Sequence, residues 1–357
     1  MSSVIGNKIK LSVFGESHGE AIGCVIDGLP GGIKLDFDKI DKEMARRAPG
    51  KDKTATARKE SDTPHILSGV LNGVTTGAPL AMTIENTNTK SGDYGNLMAV
   101  PRPGHSDYPA YVKYGGNNDI RGGGHFSGRL TAPIVFAGAI AKQILEEKGI
   151  KIGAHISRIG GVCDKNFDKN DISPELLDVL SNDAFATISA EKELEMRTVI
   201  ENARLQGNSV GGIIECAAIG LPVGIGANIF DTVESRFSAA LFGVPAVKGV
   251  QFGEGFGFAE MLGSEANDGY EIKDGQVSLI TNHNGGVLGG MTSGAPIVFS
   301  VVLKPTPSIS TPQKSVNLQT MENETLVVNG RHDPCVVPRA VPVIEAITAL
   351  VLLDMMM

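Results

Sequence analysis

GVLNGVTTGAPLAMTI (residues 69–84) is similar in sequence to GVLGGMTSGAPIVFSV (residues 286–301), later in the chain. Glycine, valine, leucine, threonine, alanine and proline coincide in register between the two segments. A second pair precedes them in the same order, because DGLPGGIKLDFD (27–38) resembles IGLPVGIGANIFD (219–231). Glycine-rich turns can resemble each other by chance, but two pairs in one order favour a duplicated unit.

The duplicated unit is predicted to be a strand, a GLP turn, a helix, and a G-A-P turn into another strand. Its copies would span about residues 9–85 and 209–302, with a long unrelated insertion between them. Strand-like and helix-like segments are mixed throughout, which predicts the α/β (α+β) class. No clear boundary divides the chain, so we expect one domain over residues 1–357 with pseudo-twofold symmetry.

Several helices can be placed from their ends. Asp36 is expected to cap a helix that carries Phe37, Ile40 and Met44 on one face. Residues 131–148 form a long apolar pattern that Gly149 would end, and Ser173 and Ser189 are typical helix starts.

Composition narrows the class of function. The chain has 357 residues, 41% of them hydrophobic, and a net charge of -8 without tryptophan, which argues against nonspecific nucleic-acid binding. The apolar run 340–357 is interrupted by Glu345, Thr348 and Asp354, so a buried helix is favoured over a membrane span. The four cysteines form no CxxC pair and are expected to be reduced core residues in a cytoplasmic protein.

The stretch FGESHGEAIG (14–23) places Ser17 and His18 at the end of an alternating apolar run. Neighbours in an extended chain point to opposite faces, so these two are not expected to form a nucleophile–base pair. His18 is either a hydrogen-bonded structural residue or a group that works with a distant partner.

Three further stretches concentrate cations and small residues. ARRAPGKDKTATARK (45–59) is a solvated loop or a flap over an anionic ligand such as phosphate. RPGHSDY (102–108) places an arginine, a histidine and an aspartate in one Pro-Gly turn. IRGGGHFSGRLTAP (120–133) runs glycines into a helix start, where backbone amides favour an anion, yet it matches neither GxGxxG nor the P-loop.

Two stretches near the C-terminus complete the set. NGRHDPC (329–335) places Arg331, His332 and Asp333 in one turn, but no second His or Cys lies at metal-ligand spacing, so no metal site is predicted. KPTPS (304–308) follows the second repeat and would bring a cation and hydroxyls to a phosphate.

Together these motifs resemble those of the chorismate synthase family, in the family's order and over nearly the whole chain. The resemblance implies a single-domain β/α sandwich, a homotetramer, and the 1,4-anti elimination of phosphate from 5-enolpyruvylshikimate 3-phosphate. It implies reduced FMN as a cofactor without net redox change, and leaves NADPH or an external flavin reductase as the source of electrons. No nucleic-acid or membrane partner is expected.

The resemblance also implies roles for individual residues. His18 would supply a proton near the leaving phosphate, His105 would sit by the flavin pyrimidine ring, and Asp333 would lie near flavin N5. The implied substrate contacts are Ser17, Arg47, Arg102, Ser127, Arg129 and Arg331. The implied flavin contacts are His125, Phe126, Ser127, Ala246, Gly289, Lys304, Pro305, Thr306, Pro307, Ser308 and Arg331. Arg47 and Lys53 are associated with a reductant nucleotide.

The chain departs from the family pattern at a few positions. Many members have Arg-Ser where this chain has His125 and Phe126, and Asn is common where it has Pro245. Lys53 replaces a usual arginine, which keeps the charge and loses bidentate geometry.

The motifs leave three other functions as alternatives. An NAD(P)H-dependent flavin reductase, alone or in addition, lacks a recognisable dinucleotide fold. A noncatalytic nucleotide-binding scaffold would not need two histidines and an aspartate in separate polar turns. A GHMP-type kinase is indicated only by LPVGIGA (221–227), which the repeat explains better.

Overall fold

The computed structural model describes residues 3–50, 62–87, 97–328 and 333–357. The strands are β1 (Val4–Ile5), β2 (Lys10–Gly15), β3 (Ala21–Asp27), β4 (His65–Ser68), β5 (Val70–Leu71), β6 (Val74–Thr75), β7 (Leu80–Glu85), β8 (Lys151–Ile159), β9 (Val162–Cys163), β10 (Gly212–Ile219), β11 (Val247–Phe252), β12 (Tyr270–Lys273), β13 (Gln276–Leu279), β14 (Val287–Leu288), β15 (Met291–Thr292), β16 (Ile297–Leu303), β17 (Gln313–Asn317) and β18 (Glu322–Leu326). The α-helices are α1 (Phe37–Arg47), α2 (Asp107–Tyr114), α3 (Thr131–Glu146), α4 (Pro174–Asn182), α5 (Ala190–Leu205), α6 (Val233–Leu241), α7 (Gly263–Ala266) and α8 (Val337–Met356).

Two five-stranded antiparallel sheets have related topologies. The first has the order β1-β2-β3-β7-β4, and the second has the order β11-β16-β10-β8-β9. The chain forms equivalent strands of the two sheets in the same order. These are β2, β3, β4 and β7 in the first sheet, and β8, β10, β11 and β16 in the second. The predicted mixed α+β class is confirmed.

The repeat recurs as a set of hydrogen bonds. The Thr75 hydroxyl accepts from Ile33 N at 2.9 Å and donates to Pro30 O at 2.7 Å. The Thr292 hydroxyl accepts from Ile225 N at 2.9 Å and donates to Pro222 O at 2.6 Å. Both threonines are buried, so each GLP turn is fastened to its G-A-P hairpin by the same pair of bonds.

The second copy begins earlier in the chain than predicted. Its first strand is β8, at Lys151, whereas the sequence pattern placed the start near residue 209. Helices α4 and α5 stand between β8 and β10, where β2 and β3 of the first copy are joined by a short turn. This long connection separates β8 from the motifs that made the duplication visible.

Helices α3 and α8 pack against each other and against both sheets in one core. Their closest approach is at Gly138, where a Cβ atom would come 2.2 Å from the Cβ of Ala346. Such contact between helix backbones requires glycine at this position. Helix α8 is buried along nearly its whole length, as the apolar run 340–357 predicted.

An ion cluster lies inside this core, and we call Glu43, Arg46, Lys142 and Glu345 the central cluster. Arg46 donates to both oxygens of Glu345 at 2.7 and 3.0 Å, and to Glu43 at 2.8 Å. Lys142 donates to Glu43 at 2.9 Å and also to Glu345. Glu345 accepts a further bond from the Ala154 amide at 3.0 Å. Two cations and two carboxylates therefore balance within the cluster.

Most local predictions agree with the structure, and two do not. Asp36 and Ser173 cap α1 and α4 through their side chains, and Ser189 stands at the start of α5. Phe37 is 41% exposed, because the buried face of α1 starts at Ile40. Cys163 is exposed at the edge of the second sheet and is not a core residue, while the other cysteines are buried.

No helix within the described ranges is long and apolar enough to cross a membrane.

Candidate active site

A cavity of about 740 Å³ lies where the two copies of the repeat meet. One wall is apolar and combines Leu11 and Val13 of β2 with Ile134 of α3 and Val343 and Ile347 of α8. The opposite walls are polar loops, which include residues 102–106, 122–130 and 303–308. This volume is in the range of about 300–1,000 Å³ that small-molecule sites occupy.

Two arginines at the cavity, Arg47 and Arg129, share the carboxylate of Asp62. We call these two arginines the arginine pair. Arg47 also donates to the Gly128 carbonyl at 2.9 Å, and Arg129 donates to the Asn86 side chain at 3.0 Å. Each arginine binds a different oxygen of Asp62. All three side chains are buried, so their positions are fixed before any ligand arrives.

A third guanidinium strengthens the positive charge. Arg339, in the first turn of α8, donates to the Arg47 carbonyl at 3.1 Å and pairs with Asp333. Burial, together with repulsion from Arg339 and Arg129, lowers the pKa of Arg47 to about 10 despite the attraction of Asp62. Burial would raise the pKa of Asp62, but attraction and hydrogen bonds from Arg47 and Arg129 hold it below its ordinary value. Three guanidinium groups are thus concentrated at this part of the cavity, and guanidiniums bind anionic ligands well.

The turn before α2 joins an arginine, a histidine and an aspartate. Asp107 accepts from Arg102 Nε at 2.7 Å and Nη2 at 2.8 Å, and from His105 Nδ1 at 2.6 Å. Arg102 also donates to the Ser308 hydroxyl at 3.2 Å. Burial would raise the pKa of Asp107, but the bonds from Arg102 and His105 keep it below its ordinary value.

The segment 304–308 crosses from the end of β16 to this turn. Lys304 donates to the Gly104 carbonyl through its ammonium group and to the Ala246 carbonyl through its backbone amide at 2.9 Å. The buried Thr306 hydroxyl makes no hydrogen bond within the part of the chain that the structure describes. Ala246 has a φ of +73°, an unfavourable backbone conformation for alanine that its surroundings must enforce.

Ser17 and His18 lie in a turn and not in the extended chain that the sequence suggested. A Cβ atom at Gly122 would come 2.7 Å from Ser17 Oγ and 2.7 Å from His18 Nε2, so both side chains reach the same glycine. The expectation that they point to opposite faces is therefore wrong. The Ser17 hydroxyl is buried and makes no hydrogen bond among the described residues.

The departures at residues 125 and 126 have a structural consequence. His125 hydrogen-bonds the Gly15 carbonyl through Nδ1 and the Ser3 hydroxyl through Nε2, both at 2.8 Å. Its ring thus joins the N-terminal segment to the end of β2. Phe126 is 39% exposed and lines the cavity.

Most of the predicted residues meet at this cavity, but Ser17, His18, Pro305 and Gly289 are not part of its lining. Its lining includes Arg47, Arg102, His105, His125, Phe126, Ser127, Arg129, Ala246, Lys304, Thr306, Pro307, Ser308 and Asp333. Pro305 packs beside Gly211 at the start of β10, and Gly289 lies in the β14–β15 turn away from the cavity. Arg331 and Lys53 lie outside the described residues. Within the described ranges, no group of three His, Cys, Asp or Glu side chains could hold a metal ion.

Sequence analysis missed Asp62 and Arg339, and it noted Asp107 without giving it a role. Asp62 stands alone after the basic run, and Arg339 is hidden in a helix that was interpreted only as buried. Asp107 was visible in RPGHSDY, where its spacing of two from His105 could have indicated a paired carboxylate. The first two had no motif to reveal them.

The fold and the cavity define an enzyme for a small anionic molecule, since fixed arginines, imidazoles and the Thr306 hydroxyl, which has no partner among the described residues, line a space of ligand size. The sequence profile described as chorismate synthase matches residues 9–357. The chain belongs to the chorismate synthase family. Its activity is that of a lyase in aromatic amino-acid biosynthesis, and the predicted function is confirmed.

Curated relatives and a solved structure agree. The chorismate synthase of Thermococcus kodakarensis is 48% identical over 98% of this chain and 96% of its own. That of Dehalococcoides mccartyi strain BAV1 is 43% identical over 99% of this chain and 96% of its own. A crystal structure of chorismate synthase superposes with a TM-score of 0.76 at 30% identity, covering 98% of this chain and 92% of that one. The flavin reductase alternative is not favoured by these relatives.

Proposed function

We propose that the enzyme eliminates phosphate from 5-enolpyruvylshikimate 3-phosphate to form chorismate, with reduced FMN held in the same cavity. The observation that carries this proposal is the concentration of three guanidiniums, Arg47, Arg129 and Arg339, at the cavity of an otherwise acidic protein. A substrate with one phosphate and two carboxylates needs such a site.

The arginine pair would bind and orient the substrate. Asp62 bonds both guanidiniums and holds them in one orientation, so a charged ligand would meet them at a defined place. Arg102 would add a contact on the opposite side, supported by Asp107 and Ser308. A leaving phosphate would thus develop its charge among fixed cations.

The histidines, together with Asp333, would donate and accept protons during the reaction. His18 is buried beside Gly122, where a substrate could approach the glycine closely because it lacks a side chain. There it would hold a proton near the leaving phosphate. His105 would donate to Asp107 through Nδ1 and keep Nε2 for a group in the cavity. Asp333, paired with Arg339, would accept a proton from the substrate ring.

The residues present fit a flavin mononucleotide. Two buried hydroxyls without partners among the described residues, on Ser17 and Thr306, are available to a polar ligand. The apolar wall suits a fused ring, and Lys304 and Ser308 suit a phosphate or ring oxygens. Bound reduced flavin supplies electron density transiently to assist phosphate loss. Its proposed contacts are His125, Phe126, Ser127, Ala246, Lys304, Thr306, Pro307 and Ser308.

His125 and Phe126 would hold the flavin differently from the family's Arg-Ser. Both ring nitrogens of His125 are already engaged with Gly15 and Ser3, so it offers an aromatic edge and no free charge. Phe126 would contribute an apolar surface. We therefore expect the cofactor to depend more on the segment 304–308 for its polar contacts.

Further properties are part of the proposal. A homotetramer, supply of electrons by NADPH or by an external flavin reductase, and Arg47 and Lys53 as a nucleotide contact all follow from the family resemblance. A cytoplasmic location is supported by cysteines that are free, with Cys24, Cys216 and Cys335 buried.

The test is an anaerobic incubation of the purified protein with 5-enolpyruvylshikimate 3-phosphate and chemically reduced FMN. Chorismate absorbance and released phosphate should rise in equal amounts. Repetition with oxidised FMN and NADPH separates a self-reducing enzyme from a dependent one. Bound reduced flavin without phosphate release would contradict the proposed reaction.

A further inference from the structure

Asp107 holds two cavity-lining residues, Arg102 and His105, through four hydrogen bonds. Its Oδ2 accepts from the Arg102 backbone amide at 3.0 Å and from Arg102 Nε at 2.7 Å. Its Oδ1 accepts from Arg102 Nη2 at 2.8 Å and from His105 Nδ1 at 2.6 Å. The side chain is 5% exposed, so water competes little for these bonds.

This bonding decides where the neutral imidazole carries its hydrogen. An ionised carboxylate can only accept, so His105 must donate through Nδ1. The ring is 16% exposed, and its Nε2 would come 3.3 Å from a Cβ atom at Gly123, next to the cavity-lining Gly122. Nε2 makes no hydrogen bond within the described residues and therefore keeps its lone pair for a ligand.

The other neighbours of the His105 ring do not fix its tautomer. Arg102 Nη2 lies 3.3 Å from Nδ1 and the Ser106 hydroxyl lies 3.4 Å from it, both longer than the contact to Asp107. Lys304 bonds the carbonyl of Gly104, one residue away, and holds the turn in place. Only the carboxylate combines a short contact with a single allowed direction of donation.

We propose that Asp107 is the positioning residue of the site: it fixes the hydrogen of His105 on Nδ1 and presents Nε2 to the bound ligand, while Arg102 keeps Asp107 in place. The catalytic consequence rests on the proposed function of His105, whereas the tautomer itself does not. Where a carboxylate orients a catalytic histidine in serine proteases, its exchange for asparagine lowers kcat about 10⁴-fold through the wrong tautomer.

The test combines Asp107→Asn with nitrogen-15 spectra of the imidazoles, at a pH where the ring is neutral, and with steady-state kinetics. The His105 signals are assigned by their loss in His105→Ala. Wild-type protein should show the hydrogen on Nδ1, and Asp107→Asn should move it to Nε2 or mix the two forms. Glu215→Gln is the matched control, because Glu215 also bonds a histidine. The distance from Glu215 to His155 is 2.9 Å, and neither residue lines the cavity.

Kinetics then separate positioning from a general structural role. Asp107→Asn should lower kcat about 100-fold or more, with a smaller change in KM, and Asp107→Glu should recover part of the loss. In a His105→Ala background the same exchange should cost no more than about threefold, because the two residues act as a unit.

Several results would overturn the proposal. A wild-type His105 with its hydrogen on Nε2 contradicts it even if Asp107→Asn does not fold. An unchanged tautomer in Asp107→Asn, or a full loss of kcat that persists in the His105→Ala background, also contradicts it. If wild-type protein forms no chorismate, the proposed function fails, while the spectra still decide the tautomer.

Discussion

Arg46 and Arg47 are neighbours on α1, both are buried, and they belong to opposite kinds of charge cluster. Arg46 enters the central cluster, where Glu345 and Glu43 raise its pKa above the ordinary value although burial acts the other way. Arg47 enters the cavity wall, where burial and two other arginines lower its pKa to about 10. The central cluster joins two cations to two carboxylates, whereas the cavity wall brings three guanidiniums close enough to repel one another. The difference teaches that repulsion between like charges at a cavity, and not burial alone, singles out Arg47 as a candidate ligand-binding residue.

Removal of Glu345 should give the largest effect. Glu345→Ala leaves Arg46 and Lys142 buried without their shared carboxylate, and we expect a loss of about 3–5 kcal/mol in the free energy of unfolding. Urea denaturation measures it. Glu146→Ala, which breaks the exposed pair with Lys39, is the control and should stay within about 0.5 kcal/mol. A similar small change for Glu345→Ala would refute the structural role of the central cluster.

A paired exchange on α1 tests the comparison directly. Arg47→Met should reduce kcat/KM about 100-fold or more, since a fixed bidentate donor is lost, and should change stability little because repulsion with Arg129 and Arg339 is relieved. Arg46→Met should do the reverse, with stability lower by about 2–4 kcal/mol and kcat/KM of the folded fraction close to wild type. Denaturation curves and initial rates on both variants are needed.

The paired exchange has one decisive contrary outcome. If both variants lose stability equally and activity equally, the two clusters act as one network, and the distinction between paired charges and mutually repelling charges has no functional meaning.

The central cluster should also make the stability of the protein depend on pH, with a smaller effect than the substitutions above. Attraction by Arg46 and Lys142 outweighs burial and lowers the pKa of Glu345 from 4.5 to about 2 in the folded protein. The carboxylate therefore stabilises the fold above pH 4.5, and this contribution is lost as pH falls toward 2. Stability measured across that window should have a steeper slope in wild type than in Glu345→Gln, and equal slopes would contradict this assignment.

The smallest expected effect concerns Asp62. Asp62→Asn removes a negative charge from the arginine pair, so inorganic phosphate should inhibit about three- to tenfold more strongly, with a steeper dependence on salt. Glu43→Gln, in the central cluster, should leave phosphate inhibition unchanged. Weaker inhibition in Asp62→Asn would show that the carboxylate orients the arginines more than it neutralises them.

The sequence predicted the repeated parts of the fold best. The GLP and G-A-P turns were visible because each requires particular residues, and Thr75 and Thr292 make the same pair of bonds in the two copies. Strand β8 was missed as part of the second copy because α4 and α5 separate it from those turns. A repeat is recognised by its turns, while its strands tolerate many apolar sequences.

The candidate site divides in the same way. Motifs led to Arg102, His105 and Ser127, which meet at the cavity. Asp62 and Arg339 have no motif, since they act through charge and distance that only the folded chain brings together. The argument about Ser17 and His18 failed because it assumed an extended strand where the chain makes a turn.

The contact of α3 with α8 has a consequence for how such an enzyme can be encoded. The first sheet is complete before Gly149 and the second starts after it, while the cavity takes residues from both sides. A gene cut at Gly149 would yield two polypeptides, each with its own sheet, and one would carry Lys142 while the other carries Glu345. Chorismate formation would then measure whether the two separately synthesised polypeptides associate.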